Sequence, residues 1–448
     1  MKRIGAALWL LLAAFSAAAA DYWIAPEGDD RADGSAETPW KTLDHANRML
    51  HPGDILWLAD GTYRGSIAPV RSGTPEEPVI YCAVNPGKAQ ILPEPGRSAV
   101  ELYKKDFIIA DGAALCGSRE TSWLDLREGK GILLIDLEMS GVPGKGPGVI
   151  ARSNHLIFRR WSVDGGGTGG VFRLQQCGSL TLEGSDFRNF SSPVMAWEDL
   201  RQGRIRRNRI AAHAPEGVFQ ISGNPPDLTV TGNLFSGTYP SRLTGSGGNF
   251  LYRNIFSAPE DLRKMPENFW HCTVITASPD AAKGFPAGNN NWIGTLDAGK
   301  FRDPASGDFR LTVQSPALDA GMACDRLASS GSGGLLKLEQ GGLLASYRRH
   351  FRNAILWFGE SRQIIRMEFQ QERAGNTLLV EPELSAFRKG DAVALPWHGN
   401  APDRGAHEYG MLNSDNPPVP GEAGVDRLTN RDRNPEFRLE NPFRRWNR

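Results

Sequence analysis

Charge of one sign is missing from this chain. Its 51 lysines and arginines balance 51 aspartates and glutamates, so the formal net charge is zero. A dedicated nucleic-acid binder carries a net basic domain, and the balance argues against that class. Long hydrophobic runs are missing as well. Beyond the first twenty residues no segment is long and apolar enough to span a bilayer. Cysteine is scarce, at five: Cys82, Cys116, Cys177, Cys272 and Cys324. The number is odd and the spacings match no metal motif, so most are read as small buried hydrophobes. No glycine-rich phosphate loop, Ser-His-Asp signature or zinc motif occurs. Histidine is rare, at eight.

Glycine (51) and proline (30) are plentiful, which suits a turn-rich β protein better than a helical one. The N-terminus reads as a secretory signal. Lys2 and Arg3 precede an apolar stretch, IGAALWLLLAAF, then SAAAA and Asp21. Small residues ahead of an acidic one predict cleavage near Ala20. The expectation is a secreted or periplasmic protein with no membrane span after cleavage.

The middle of the chain repeats. One apolar position recurs at Leu115, Met139, Val163, Phe187, Ile210, Phe235 and Phe256, in steps of 24, 24, 24, 23, 25 and 21. An upstream ladder of valines, Val149, Val171, Val194 and Val218, has steps of 22, 23 and 24. A period in the low twenties built from short alternating runs such as LTLEGSDF and LTVTGNLF predicts a solenoid of strands, one coil per repeat. Asn208, Asn233 and Asn254 stand two places before the apolar ladder. There, stacked asparagines can hydrogen-bond from coil to coil. The segment GRIRRNRI packs Arg204, Arg206, Arg207 and Arg209 into six positions. In register it is one rung, with Ile205 and Ile210 in the core, Asn208 in the ladder and the arginines outward or in turns.

Residues 21–90 differ from the coils. YWIAPEGDDRADGSAETPW reads as a strand and an acidic loop. TPWKTLDHANRML reads as a short helix with Leu43, Ala46, Met49 and Leu50 as its apolar positions, and GDILWLADGTY as a strand and turn. Together they predict an N-terminal cap over the open end of the solenoid. The segments IAPEGDDRADGSAETPWKTLDHA, HPGDILWLADGTYRG and EEPVIYCAVNPGKAQIL resemble the entry segment of secreted right-handed parallel β-helix proteins of the pectate-lyase-like superfamily. GDFRLTVQSPALDAG (307–321) resembles the closing coil of that group, and NAPDRGAHEYG (400–410) the end of its last domain. The resemblance covers most of 22–410. It implies an all-β, right-handed parallel β-helix, and it specifies fold more than reaction, because the superfamily spans lyases, hydrolases, epimerases and members with no known activity. Between the closing words, a block at about 335–398 resembles an accessory antiparallel β module, and SSGSGG (329–334) reads as a flexible linker before it. The expected organisation is signal peptide 1–20, cap and first coils 21–90, β-helix 91–325, C-terminal module and closing strand 326–410, and a disordered tail 411–448 rich in Pro, Asn, Arg and Glu.

The coils from about 145 to 220 carry Arg152, Arg159, Arg160, Arg173, Arg188, Arg201 and the 204–209 cluster against Asp164, Glu183, Asp186, Glu198 and Asp199. Stacked, this excess predicts a basic stripe, which suits an acidic polysaccharide. Cleavage of such a chain by β-elimination needs removal of the proton at C5, alpha to the carboxylate. The carboxylate charge must be neutralised by Arg, Lys or Ca²⁺. Register places Arg173 and Gln220 on one outward face. Arg188, His213 and Glu216 fall in the turns after the apolar ladder, and Lys145 in the equivalent turn of an earlier coil. The expected catalytic set is Arg173, His213, Arg188 and Lys145, with Arg152, Gln220 and Glu216 binding substrate. No metal or cofactor is expected. Ca²⁺ in such lyases sits among several aspartates, whereas SVDGGGTGG offers Asp164 alone, and Glu27, Asp29, Asp30 and Asp33 lack EF-hand spacing. No carboxylate pair stands out for hydrolysis, which ranks below elimination. The alternative is a non-catalytic, glycan-binding cell-envelope or surface protein.

Overall fold

The computed structural model describes residues 19–141, 146, 148–167, 172–212, 218–222, 227–237, 250–252, 254–257, 269–270, 272–276, 278–282, 291–305, 308–321, 323, 325–340, 355–361, 363–368 and 376–394. Residues 1–18 of the expected signal peptide and the whole expected tail lie outside them.

The chain is an all-β, right-handed parallel solenoid. Three parallel sheets run along its axis, and each of the six central coils contributes one strand to each in turn. Among the described residues, sheets A and B have eleven strands and sheet C six. In the coil from Lys130 to Ala151, for example, Lys130–Ile135 belongs to sheet A, Glu138–Ser140 to sheet B and Gly148–Ala151 to sheet C. The apolar ladder is a column of register partners in sheet B. Leu115 pairs with Met139, Met139 with Val163, Val163 with Phe187, Phe187 with Ile210, Ile210 with Phe235, and Phe235 with Phe256. These side chains are buried in one core with Trp123, Trp161, Phe172 and Trp197.

The valine ladder is corrected at its first step. Gly148 pairs with Phe172, and Val149 with Arg173. Gly148 therefore holds the inward position, where an added Cβ would lie 2.8 Å from the Leu124 Cβ. Beside Phe172 that column has no room for a side chain, so Val149 turns outward.

The asparagine ladder forms as expected and is longer than expected. Asn208 N–H donates to Asn233 Oδ1 (2.9 Å), and Asn233 N–H to Asn254 Oδ1 (3.0 Å). Ser185 N–H donates to Asn208 Oδ1 (2.9 Å), Asn254 N–H to Cys272 Sγ (3.3 Å), and Cys272 N–H to Asn291 Oδ1 (2.9 Å). Each member satisfies a main-chain N–H at the bend between sheets A and B, where burial would otherwise orphan it.

At the N-terminus, the helix Leu43–Met49 is capped by Thr42, whose hydroxyl accepts from His45 N–H. Leu43, Ala46 and Leu50 are buried, while Met49 points out, 44% exposed. The early strands of sheet A, ILWL, VIYCA, IIAD and KGILLI, are apolar on both faces. Ile55, Trp57, Ile80, Cys82, Ile109, Leu133 and Ile135 form a second buried cluster on the outer face. Strands buried on both sides read as continuous apolar runs.

The segment expected as a closing coil is instead an antiparallel pair, Phe301–Asp303 with Asp308–Leu311. Its Phe301, Phe309 and Leu311 cover Leu234, Ile255, Ile275 and Trp292 on the outer face of sheet B. The small C-terminal antiparallel sheet is present, built from six strands between Asp325 and Ala394 among the described residues. The expected linker is one of them. Gly331–Lys337 pairs with Thr377–Phe387. An added Cβ at Gly334 would lie 2.7 Å from the Val380 carbonyl, and one at Gly331 2.9 Å from the Phe387 ring. These glycines serve close approach within a sheet, not flexibility.

Candidate functional site

Sheet C turns a flat outer face to solvent. Its strands alternate, so every second residue joins an outward column that runs along the axis with a spacing of about 4.8 Å. One column is Glu101, Asp125, Val149, Arg173, Ala196 and Gln220. The next is Tyr103, Arg127, Ala151, Gln175, Glu198 and Ser222. Arg173 and Gln220 therefore share a face, as register implied, two coils apart, and both are exposed.

The floor around Arg173 is made of small side chains, Val149 before it and Ala196 after it. The acids of this face are engaged. Glu101 is held by Arg97, and Asp125 by Arg127 at 2.5 Å. Glu198 accepts from Gln175 Nε2 at 3.0 Å.

The expected basic stripe is divided among three faces and largely neutralised. Arg159 and Arg206, on the outer face of sheet A, flank Glu183 at 3.1 and 2.8 Å. Arg160 forms a two-pronged pair with the buried Asp136, at 2.8 and 2.9 Å. Arg152 sits in the bend between sheets C and A, where its guanidinium meets Glu128 at 2.5 Å and Glu128 also meets Lys104 at 3.8 Å. Residues at this bend, Lys104, Glu128, Arg152, Gln176 and Asp199, are all left-handed, with φ between 47° and 57°. One left-handed residue per coil turns the chain, and the side chains stack as a mixed-charge column. Arg173 differs from these arginines: among the described residues it has no ion-pair partner.

Arg188 lies within a strand of sheet B, Asp186–Phe190, and not on the face of Arg173. Its guanidinium reaches Asp164 of the preceding coil at 3.5 Å and Asp186 at 3.4 Å. Asn189 Nδ2 also donates to Asp164, at 3.0 Å. The two carboxyls are pushed apart in acidity. Asp164 is held below the ordinary aspartate range, first by the Gly166 N–H, then by Asn189 and Arg188. Asp186 is raised by burial, opposed by Arg209 and Arg188. Arg188 thus serves as a bridge between two acids. His213, Lys145 and Glu216 lie outside the described residues.

The signs give a pH test. A lowered folded value makes Asp164 stabilising above its unfolded value, about 3.9. That contribution is lost as pH falls through the folded value. Asp186 acts in the opposite sense: its raised value favours the fold at low pH, and that contribution is lost as pH rises through the folded value. Asp164→Asn is therefore expected to lower the urea midpoint at neutral pH and to flatten its fall on the acid side. Asp186→Asn is expected to leave the neutral midpoint unchanged or raise it. A parallel acid-side slope in wild type and Asp164→Asn would contradict this assignment.

The acidic loop near the N-terminus is occupied by its own donors. Asp30 accepts from Lys41 N–H, Thr42 N–H and the Thr42 hydroxyl, and Asp33 from Ser35 N–H and the Thr38 hydroxyl. Among the described residues no group of three or more His, Cys, Asp or Glu side chains could hold a metal ion. No described helix is long and apolar enough to cross a membrane.

No protein-family model matches the chain. It is 31% identical over 118 residues to the pectate lyase PEL9 of Emericella nidulans, covering 26% of this chain and 24% of that protein. It is 32% identical over 62 residues to the uncharacterized protein YwoF of Bacillus subtilis, covering 14% of this chain and 13% of that one. The chain thus spans a quarter or less of either curated relative. A solved structure titled rhamnogalacturonan lyase aligns with a TM-score of 0.41 at 13% identity, over 59% of this chain and 83% of that chain.

Proposed function

We propose that the protein is exported and acts on an acidic polysaccharide laid along the outer face of sheet C, with β-elimination as its reaction. The observation that carries this reading is Arg173. It is a solvent-exposed guanidinium on a flat face floored by small side chains, and it has no carboxylate partner among the described residues. Arg127, Arg152, Arg159, Arg160, Arg188 and Arg206 are each held by one. A fork of donors left open in this way offers a two-point contact to a sugar carboxylate. Neutralising that carboxylate is the prerequisite for taking the proton at C5. The coil spacing matches this ligand, since an extended glycan can lie along the axis and meet one rung after another.

A second reading is binding without cleavage. It is favoured by the content of the described strands of sheet C, in which no histidine or lysine appears. One experiment separates the two. The purified full chain is incubated with polygalacturonate, alginate, a sulfated glycan and a neutral glucan, with and without Ca²⁺, and near-ultraviolet absorbance of unsaturated uronates is followed. A rise on a polyuronate is the expected result. No rise, with retardation in a gel containing the same glycan, selects the binding reading. Neither rise nor retardation on any acidic glycan overturns both.

A further inference from the structure

We propose that Tyr103 is a second sugar subsite in the same groove, a stacking platform for the apolar face of one hexuronate ring, with Lys104 beside it to meet that ring's carboxylate. This rests on the reading of sheet C as a glycan groove and extends it to a specific place. Tyr103 ends the first strand of sheet C, Ser98–Tyr103, and points outward in register with Arg127 of the next coil. It is 57% exposed, and no other aromatic ring among the described residues lies so open. Other large aromatic residues of the solenoid are covered, Trp123, Trp161, Phe172 and Trp197 in the core and Trp57 and Trp292 in the outer-face clusters. Leaving a large ring uncovered forgoes its burial, and a flat apolar face with a polar tip suits a sugar ring, whose own faces carry C–H groups.

The surroundings specify an anionic sugar. Lys104 Nζ lies over one face of the Tyr103 ring, 5.1 Å from its centre, which leaves the other face for a sugar, and its amine is held charged, first by its hydrogen bond to Tyr103 and then by Glu128. The acids of this end of the groove do not present bare charge: Glu101 is tied to Arg97, Asp125 to Arg127, and Glu128, which also meets Lys104 at 3.8 Å, to Arg152. Tyr103 and Arg173 belong to coils three steps apart, so about 14 Å of groove separates them along the axis. Between them lie Asp125 with Arg127, then Val149 with Ala151, and Ala151 is buried in the floor. A single short oligomer at Arg173 cannot reach the ring, whereas a longer chain crosses both. The subsite thus sets a minimum chain length for full affinity.

The test is isothermal titration of wild type, Tyr103→Phe and Tyr103→Ala with polyuronate oligomers of two and of eight sugars, using whichever polyuronate retards wild type. Tyr103→Ala is expected to lose about tenfold in affinity for the octamer, the worth of one stacked ring, and nothing for the dimer. Tyr103→Phe is expected to retain wild-type affinity. Equal octamer affinity in wild type and Tyr103→Ala overturns this inference and leaves the groove at Arg173 standing. If no polyuronate binds wild type, the groove reading fails and this inference with it. Loss of both dimer and octamer binding in Tyr103→Ala also overturns it, since the effect would then reach Arg173.

Discussion

Asn233→Ala is expected to destabilise the solenoid by about 3–5 kcal/mol, at roughly 0.5–1 kcal/mol net for each of five lost contacts. Asn233 is fully buried. Its Oδ1 accepts from the N–H of Asn208 (2.9 Å) and from Asn208 Nδ2 (3.0 Å). Its two Nδ2 hydrogens serve three acceptors, one of them shared: the Ile205 carbonyl (2.8 Å), the Thr231 carbonyl (3.1 Å) and Asn254 Oδ1 (3.0 Å). Alanine removes all five contacts and leaves the buried Asn208 N–H without its acceptor. The ladder supplies its own control. At the equivalent position of an earlier coil, Ser185 keeps a smaller share of the contacts: its hydroxyl accepts the Trp161 N–H at 3.1 Å and donates to the Glu183 carbonyl at 3.2 Å. Asn233→Ser is therefore expected to fall between wild type and Asn233→Ala. Urea unfolding followed by tryptophan fluorescence reads the series. An Asn233→Ala midpoint corresponding to less than about 1 kcal/mol of loss would mean that the ladder adds no more than a single ordinary hydrogen bond.

The same ladder shows how far the sequence could be read. Its asparagines were legible because they keep one chemistry at one offset from the apolar column. Ser185 and Cys272 keep the offset and change the chemistry, so a search by residue type passes over them, while Asn291 keeps both but lies beyond Phe256, where the apolar ladder read from the sequence stops. Each still stands two places before an inward residue, Phe187, Val274 or Ile293. Position in the repeat was the better signal. The arginines teach the same point. Counted in one stretch of chain they suggest a basic stripe, yet Asp136 and Arg160, Glu128 and Arg152, Arg159 and Glu183, and Asp164 and Arg188 each lie one period apart and become neighbours on stacking. Charge in a solenoid has to be summed across coils before a face is assigned a sign.

Other features were hidden for different reasons. The glycines of Gly331–Lys337 read as linker because composition is blind to a neighbouring strand passing at contact distance. Val149 was misplaced by one turn of alternation because Gly-Val-Ile at 148–150 resembles Gly-Val-Phe at 217–219 without sharing its register. The outward position of Arg173 and Gln220 was legible, since it needed only alternation within strands of matched spacing. That Arg173 lacks an ionic partner was not, because this depends on Val149 and Ala196 being the residues one coil away on either side.

Loss of the open guanidinium of Arg173 from the outer face of sheet C is the largest functional effect expected. Removing a guanidinium that meets a sugar carboxylate in a two-point contact costs about 1.5–3 kcal/mol, which is roughly ten- to a hundredfold in affinity. Arg204 is the matched control. It too is exposed, it has no ion-pair partner among the described residues, and it lies on the outer face of sheet A between Thr181 and Thr229. Both substitutions remove one positive charge, so any general electrostatic attraction falls equally in the two, and both leave the core untouched. The measurement is the dissociation constant of a polyuronate from wild type, Arg173→Ala and Arg204→Ala at a fixed salt concentration. The expected result is weakening by at least tenfold in Arg173→Ala, with Arg204→Ala within about twofold of wild type. Equal weakening in the two variants, or none in Arg173→Ala, would contradict the assignment of sheet C as the glycan-binding face.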